Sequence, residues 1–365
     1  MATKAAARAE AERIVETFQA AGAIEVEAEI LQSADTLLDL YGEDIRARAY
    51  VTTDPLKGEM MLRPDFTVPV VQMHMAEGAE PARYCYMGEV FRKQELESDR
   101  KSEFFQAGFE IFDRENPSKA DAEVFALLAQ FLLPFNLRAA TGDIGIIMAA
   151  IRGLSTLESR KSALLRHIWR PRRFTQLLGR FSGRTPVPAA RAALLASVNA
   201  AENSGCGAAH IGLRSEAEIA GRIGALQADA AAEPISMEEG ALLQNLLDLS
   251  AKSPVALCQL RELAHSMPAI RPAVDRMSQR LDALAQRGID VAGLDFEASH
   301  GRTTLEYYDG FVFSFHASDP DLPPVASGGR YDALTQVLGQ GRSIPAIGGV
   351  IRPGMVADLR GGTLC

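Results

Sequence analysis

Three short segments of this 365-residue chain gather side chains that could do chemistry together. The first, MLRPDFTVP (61–69), puts Asp65 and Thr67 at the mouth of a predicted helix. Asp65 there serves either as an N-cap for backbone N–H groups or as a carboxylate facing a ligand ammonium. The second, GEVFRKQELESDRKSEFFQAGFE (88–110), carries Arg92 on a strand and Arg100 at the far side of a charged loop. A guanidinium holds carboxylate or phosphate with a planar fork, so two that converge suit an anionic ligand. Gln106 and Glu110 lie four residues apart on the next strand and share a face with Phe104, because strand side chains alternate. An inward glutamate is costly unless paired. These residues read equally as an exposed strand edge or as the wall of a site for a positive or donor group. The third segment joins EYYDGFVFSF (306–315) to ASGGRYDAL (326–334). Gly328 and Gly329 admit a ligand or a neighbouring strand at close range. Tyr307 and Tyr308 belong either to an aromatic core face or to a site.

The elements that must position these groups follow from periodicity and punctuation. Residues 4–20 have helical spacing, 23–32 alternate like a strand, and 34–42 form a short helix closed by Gly42. A hairpin turning at Asp54–Gly58 leads into a helix with Pro69 in its first turn. Strands are predicted over 83–93 and 102–113, then a helix over 118–135 with an acidic start. From about 140 to 290 the chain turns Ala-, Leu- and Arg-rich, with helical periodicity and few strand signals. Strands return over 291–298, 305–317 with a turn at Asp309–Gly310, and 324–332. A short strand or turn over 344–351 precedes a terminal helix. The pattern predicts an α+β fold: one discontinuous domain, 1–140 and 290–365, mainly antiparallel, interrupted by a mainly helical insertion over 141–289.

Composition narrows the function classes. No long uncharged apolar run appears, so no transmembrane helix is expected, and the N-terminus lacks the apolar core of a signal peptide. The four cysteines lie far apart without metal-type spacing, which fits a reducing cytoplasm and predicts neither a disulfide framework nor a metal site. A net charge of -9 disfavours nucleic acid as a default partner. One patch runs against the total: 160–184 carries eight Arg or Lys and no acid. It reads as a solvated helix face over Trp169 and Phe174, or as a contact surface for an acidic partner or a phosphate.

The segments, taken in order, resemble the catalytic domain of class II aminoacyl-tRNA synthetases, and histidyl-tRNA synthetase in particular, over roughly 1–135 and 290–355. MLRPDFT is similar to the family's Leu-Arg-Pro-Glu-Gly-Thr, the 88–110 stretch to class II motif 2, EYYDGFVF to the Leu-Asp-Tyr-Tyr segment, and GGRYDAL to Gly-Gly-Arg-Tyr-Asp-Gly-Leu. The resemblance implies the class II antiparallel sheet flanked by helices, and a homodimer built through the N-terminal helix and strand. It implies a histidine pocket in which Glu110, Tyr307 and Tyr308 hold the imidazole. Asp65, Thr67 and Gln106 would hold the ammonium, and Arg100, with Arg92, would face the carboxylate.

Departures from the family pattern point away from activation chemistry. Where the synthetases carry an arginine at the reacting carboxylate, this chain has Thr303, with Arg302 one place off. Met355 and Gly354 stand at the arginine and glutamate of motif 3, Gln94 at a motif 2 glutamate, and Glu29 at the motif 1 proline. Ten residues follow Met355, so no anticodon-binding domain is expected. Adenylate formation needs positive charge around the triphosphate, and that set is depleted while the amino-acid set is kept. This pattern is similar to the histidyl-tRNA synthetase paralogues that serve as regulatory subunits of ATP phosphoribosyltransferase. It implies a non-catalytic cytoplasmic subunit without a cofactor of its own, partnered by a short-form catalytic subunit in the first step of histidine biosynthesis. Free histidine would be the effector for feedback inhibition. A divergent histidine-activating enzyme, and a nucleic-acid-binding module using 160–184, are the alternatives.

Overall fold

The computed structural model describes residues 2–41, 45–94, 101–204, 214–302 and 307–362. Helix α1 (Lys4–Ala20) opens at Thr3, whose hydroxyl accepts the Ala6 N–H at 3.2 Å. It buries Ala7, Ala11, Ile14, Val15 and Phe18, a single apolar stripe. Where one strand was expected over 23–32, two short ones form, β1 (Ile24–Glu25) and β2 (Leu31–Ser33). Next come α2 (Ala34–Tyr41), α3 (Ile45–Arg48) and the hairpin β3 (Val51–Asp54) and β4 (Gly58–Leu62). The turn forms where expected, with the Asp54 carboxylate accepting the N–H groups of Leu56 and Lys57, each at 2.8 Å. Helix α4 (Thr67–Glu77), strands β5 (Ala82–Phe91) and β6 (Glu103–Phe112), and α5 (Pro117–Leu132) follow.

Strand β7 (Arg138–Asp143) was not anticipated. Its RAATGD sequence has one β-branched residue, Thr141, and no aromatic to advertise a strand, yet it pairs along its whole length with β10. Helices α6 (Ile144–Arg152), α7 (Glu158–Arg166), α8 (Pro171–Phe181), α9 (Ala189–Ser204), α10 (Glu216–Ala231) and α11 (Met237–Leu247) come next. The short strand β8 (Ser250–Lys252) separates these from α12 (Ser253–Ser266) and α13 (Arg271–Gln286). The chain closes with β9 (Asp295–Glu297), β10 (Phe311–His316), β11 (Ala326–Arg330), α14 (Asp332–Leu338), β12 (Ala346–Ile351) and α15 (Pro353–Arg360). Asp309–Gly310 is not a hairpin turn. The Asp309 N–H donates to Arg330 O at 3.0 Å, and its carboxylate accepts the N–H groups of Asp332 and Ala333 at the start of α14.

Among the described residues nine strands form one sheet, ordered β1-β5-β6-β12-β11-β10-β7-β9-β8, and β2-β4-β3 form a second. Pairing is antiparallel except for β1 with β5 and β7 with β9, so the sheet is mixed. The two faces of β6 divide the core. Phe105, Ala107, Phe109 and Ile111 pack with α1, α5 and α15, whereas Phe112 packs with Phe66, Tyr86, Tyr307, Tyr308 and Tyr331. That second core runs on through α6, α8, α11 and α12. No helix among the described residues is long and apolar enough to cross a membrane.

A buried ion network clamps these layers. Arg330 on β11 donates to Asp121 of α5 through Nε at 2.9 Å and Nη2 at 2.6 Å. Arg280 of α13 reaches Asp121 at 3.2 Å and Asp143 of β7 at 2.7 Å. All four side chains are nearly inaccessible to water. A lone buried charge is expensive, so breaking one partner costs about 3–5 kcal/mol. Asp121→Ala is expected to lose stability on that scale in urea denaturation. A loss under about 1 kcal/mol, typical of a surface pair, would contradict the clamp.

Candidate functional site

The candidate site occupies one face of the sheet's centre, over β5, β6, β12 and β11, with Glu110 of β6 in its middle. The register places Glu110 between Tyr84 and Gly348. A Cβ on Gly348 would stand 1.4 Å from Glu110 Oε2, so the carboxylate fills the space that a side chain there would take. Two register positions along, a Cβ on Gly108 would stand 2.3 Å from Tyr86 Oη, so the Tyr86 ring lies across that glycine. Two side-chain-free positions thus make room for a buried carboxylate and its phenol donor.

Glu110 is 1% exposed. It accepts hydrogen bonds from Tyr331 Oη at 2.5 Å, Tyr86 Oη at 2.8 Å and Thr67 Oγ1 at 3.4 Å. Burial pushes its carboxyl up to about 7, against the pull of the Tyr331 and Tyr86 hydrogen bonds; the nearby Asp65 adds to the rise and Thr67 opposes it. Burial, then the Glu110 charge, raises Tyr308, while Arg92 works in the opposite direction. Tyr307 donates to Thr67 Oγ1 at 3.2 Å and packs edge-on against Tyr308 and Tyr331, with ring centroids 4.9 and 6.0 Å apart.

The predicted residues largely converge. Asp65, Thr67, Gln106, Glu110, Tyr307 and Tyr308 are all buried on this side of the sheet. Asp65 Oδ1 accepts the Thr67 N–H at 3.1 Å, a local turn bond of the capping kind, although the residue at the N-cap of α4 is Phe66. Gln106 shares the Glu110 face, and its Oε1 finds no donor among the described residues. Arg92 lies at the rim, its Nε donating to Pro64 O at 2.8 Å and its guanidinium 5.6 Å from the Phe104 ring. Arg100 and Thr303 lie outside the described residues.

Sequence reasoning passed over three contributors. Tyr86 and Tyr331 supply the donors to Glu110, and Arg352 lies 5.4 Å from the same Phe104 ring as Arg92. Tyr86 was discoverable, because the alternation that turns Glu110 inward runs on into the paired strand. The departures take up definite structural places. Arg302 donates through Nε to Ile168 O at 2.8 Å and lies over the Phe174 ring at 4.9 Å, so it braces the helical layer. Met355 packs against the core on the opposite sheet face from Glu110. Gln94 is exposed and donates to the Arg92 carbonyl at 3.4 Å. No group of three or more His, Cys, Asp or Glu among the described residues is placed to hold a metal ion.

The arrangement suits a small ligand with a nitrogen heterocycle or other donor end over Glu110 and an anionic end toward Arg92 and Arg352. The sign of the Glu110 shift makes a stability prediction. A carboxyl raised from 4.5 to about 7 favours the folded state in its protonated form. That stability is complete below about pH 4.5 and is lost as pH rises through about 7, a loss on the order of 3 kcal/mol. Glu110→Gln keeps the shape without the charge and is expected to reduce the loss between pH 5 and pH 8 by about that amount when urea midpoints are compared, leaving the part due to Asp309, whose carboxyl burial also pushes up to about 7. Equal pH dependence in the two proteins would refute this account of the site.

Comparison with known proteins gives a consistent kinship. A family model described as "Histidyl-tRNA synthetase" matches residues 2–205 and 216–354. A Brucella anthropi protein named ATP phosphoribosyltransferase regulatory subunit is 31% identical over 342 residues, 88% of this chain and 89% of that protein. The Brucella ovis protein of the same name is 31% identical over 341 residues, with the same coverage. A solved structure described as an ATP phosphoribosyltransferase regulatory subunit/histidyl-tRNA synthetase, from Bacillus halodurans, matches with a TM-score of 0.68 at 20% identity, covering 98% of this chain and 81% of its own. A Nostoc histidyl-tRNA synthetase matches with a TM-score of 0.65 at 16% identity, covering 98% and 73%.

Proposed function

Because the chain belongs to the histidyl-tRNA synthetase family, and within it to the ATP phosphoribosyltransferase regulatory subunits, we propose that it is the histidine-sensing, non-catalytic subunit of that enzyme. Its fold is the class II synthetase-like one, a mixed central sheet flanked by helices. In this reading it joins a short-form catalytic subunit in the cytoplasm. It supports the first step of histidine biosynthesis and relays inhibition by free histidine.

One observation carries the ligand assignment: the inward Glu110 carboxylate beneath tyrosines, on the same strand face as the Gln106 Oε1 that finds no donor among the described residues. A buried acceptor without a partner costs about 1–3 kcal/mol, and a ligand N–H removes that cost. Glu110, Tyr307 and Tyr308 face the imidazole, Asp65, Thr67 and Gln106 face the ammonium, and Arg92 faces the carboxylate. Activation by ATP is disfavoured because Thr303 stands where the synthetases carry an arginine, the neighbouring Arg302 turns its Nε to Ile168 O and lies over Phe174, and a thioether stands at Met355.

Calorimetric titration of the purified chain with histidine tests the site. Glu110 titrates at about 7 and free imidazole at about 6.5, and the pair binds best sharing one proton. Affinity is therefore expected to peak near neutrality and fall on either side, and Glu110→Ala is expected to weaken it at least about tenfold. Absence of binding, together with no activation of a short-form catalytic subunit, would sink the proposal. Histidine-dependent ATP–pyrophosphate exchange would replace it with an activating enzyme.

The homodimer has its own surface. Ile24, Ile30, Leu31, Val51 and Met73 are exposed around β1, β2, β3 and α4. A groove of about 500 Å³, lined in part by Glu29, Leu31, Met60 and Met73, runs through this edge. Apolar clustering of this kind marks an interaction face, and a second copy of the chain is the proposed occupant. Leu31→Glu is expected to convert a dimer into a monomer by light scattering; an unchanged mass would place the dimer contact elsewhere.

A further inference from the structure

The basic stretch that the pocket leaves unused closes on a second groove, of about 580 Å³, between α7, α8, α9 and α10. Arginines 160, 180, 191, 214 and 222 line it against a single acid, Asp229, in a chain whose net charge is -9. Asp229 is already neutralised. It accepts from Arg160 Nε at 2.6 Å and also pairs with Arg191. Arg160 is spent, because its remaining donors go to the carbonyls of Asp229, Ala232 and Glu233. Arg180 is not spent in this way. Its guanidinium lies 4.7 Å from the Phe181 ring, and its Nε has no acceptor among the described residues. Burial, then the crowding of Arg191, Arg173 and Arg160 against the attraction of Asp229, makes its charge harder to hold. Arg214 and Arg222 are exposed at the rim. The acid nearest Arg222 along α10, Glu218, is engaged in a capping box with Ser215.

Between the cations the lining is apolar, with Phe181, Leu194, Ile223 and Leu226. The volume falls in the range of small-ligand sites, roughly 300–1,000 Å³. Arginine forks match the oxygens of phosphate and carboxylate groups, several of them together suit a multiply charged phosphate, and an apolar floor favours a planar, hydrophobic body. We propose that this groove is a second ligand site, which takes a nucleoside phosphate. Its phosphates sit on Arg180, Arg214 and Arg222, and its base lies against Leu194, Ile223 and Leu226. The site shares no residue with the Glu110 pocket, so it stands or falls independently of the histidine reading.

The test is calorimetric titration of the full chain with ADP and, separately, with inorganic pyrophosphate. The variants are Arg214→Glu, Arg222→Glu and, as a control in the central pocket, Arg92→Ala, with circular dichroism to verify folding. Saturable ADP binding is expected, weakened at least about tenfold by either glutamate substitution and unchanged by Arg92→Ala. Pyrophosphate, lacking the base, is expected to bind more weakly than ADP. No saturable ADP binding to the unsubstituted chain would overturn the proposal. So would a loss confined to Arg92→Ala, which moves the nucleotide to the central pocket. Pyrophosphate binding as tight as ADP would overturn the nucleotide assignment.

Discussion

A carboxylate at the centre of a β-sheet is the constraint on which the rest of this structure depends. Glu110 cannot lie at 1% exposure without either donors or a proton, since desolvating an unpaired charge costs far more than folding can supply. The fold supplies both. Tyr86, Tyr331 and Thr67 provide the donors, and burial shifts the carboxyl up to about 7. Each donor comes from a different part of the chain, so the carboxylate ties β5, the start of α4 and the residue after β11 to β6. The absent side chain at Gly348 is what lets β12 run alongside at all.

The clamp beneath makes that arrangement rigid. Arg330 and Tyr331 are consecutive yet serve opposite purposes. Arg330 turns into the Asp121 network, and Tyr331 turns into the pocket to meet Glu110. Fixing the first aims the second. Arg280 extends the same network to Asp143 at the end of β7, where the chain enters the helical layer. Polar groups that satisfy one another in a low-dielectric core have few alternative arrangements, which is what a pocket needs in order to discriminate among small ligands.

Much of this was legible because it rests on local signals. The alternation of Phe104, Gln106 and Glu110 predicted their common face, and the Asp54–Gly58 turn carried its own hydrogen-bond chemistry. What escaped had non-local causes. The sequence of β7, RAATGD, reads as nothing in particular; it is a strand because β10 offers a partner along its whole length. The role of Asp309 was misread as a hairpin turn because its carboxylate is claimed by backbone N–H groups more than twenty residues away, at the start of α14. Tyr331 was quoted without being assigned, since nothing local says that a phenol will meet a carboxylate 221 positions earlier. The resemblance to the synthetases supplied the long-range grouping of Asp65, Thr67 and the tyrosine pair that periodicity could not.

Binding an amino acid and activating it make different demands on the same sheet. Holding requires matched donors and acceptors around one end and a cation at the other. On the proposed reading those are Glu110, Gln106, Asp65 and the two arginines flanking Phe104. Activation requires further cations placed where charge develops in the transition state. By the resemblance, those places carry Thr303 and Met355 in this chain; Met355 packs against the other sheet face, and the neighbouring Arg302 donates to Ile168 O. On the proposed reading, a ligand that cannot be consumed acts only by favouring one arrangement of the protein over another. Helix α4 is positioned to report it. Thr67, in its first turn, touches Glu110 and Tyr307 inside the pocket, while Met73, six residues on, lines the exposed groove with Leu31. On that reading, this one helix faces the ligand at one end and the proposed subunit contact along its outer side, so a displacement of α4 at the first is felt at the second.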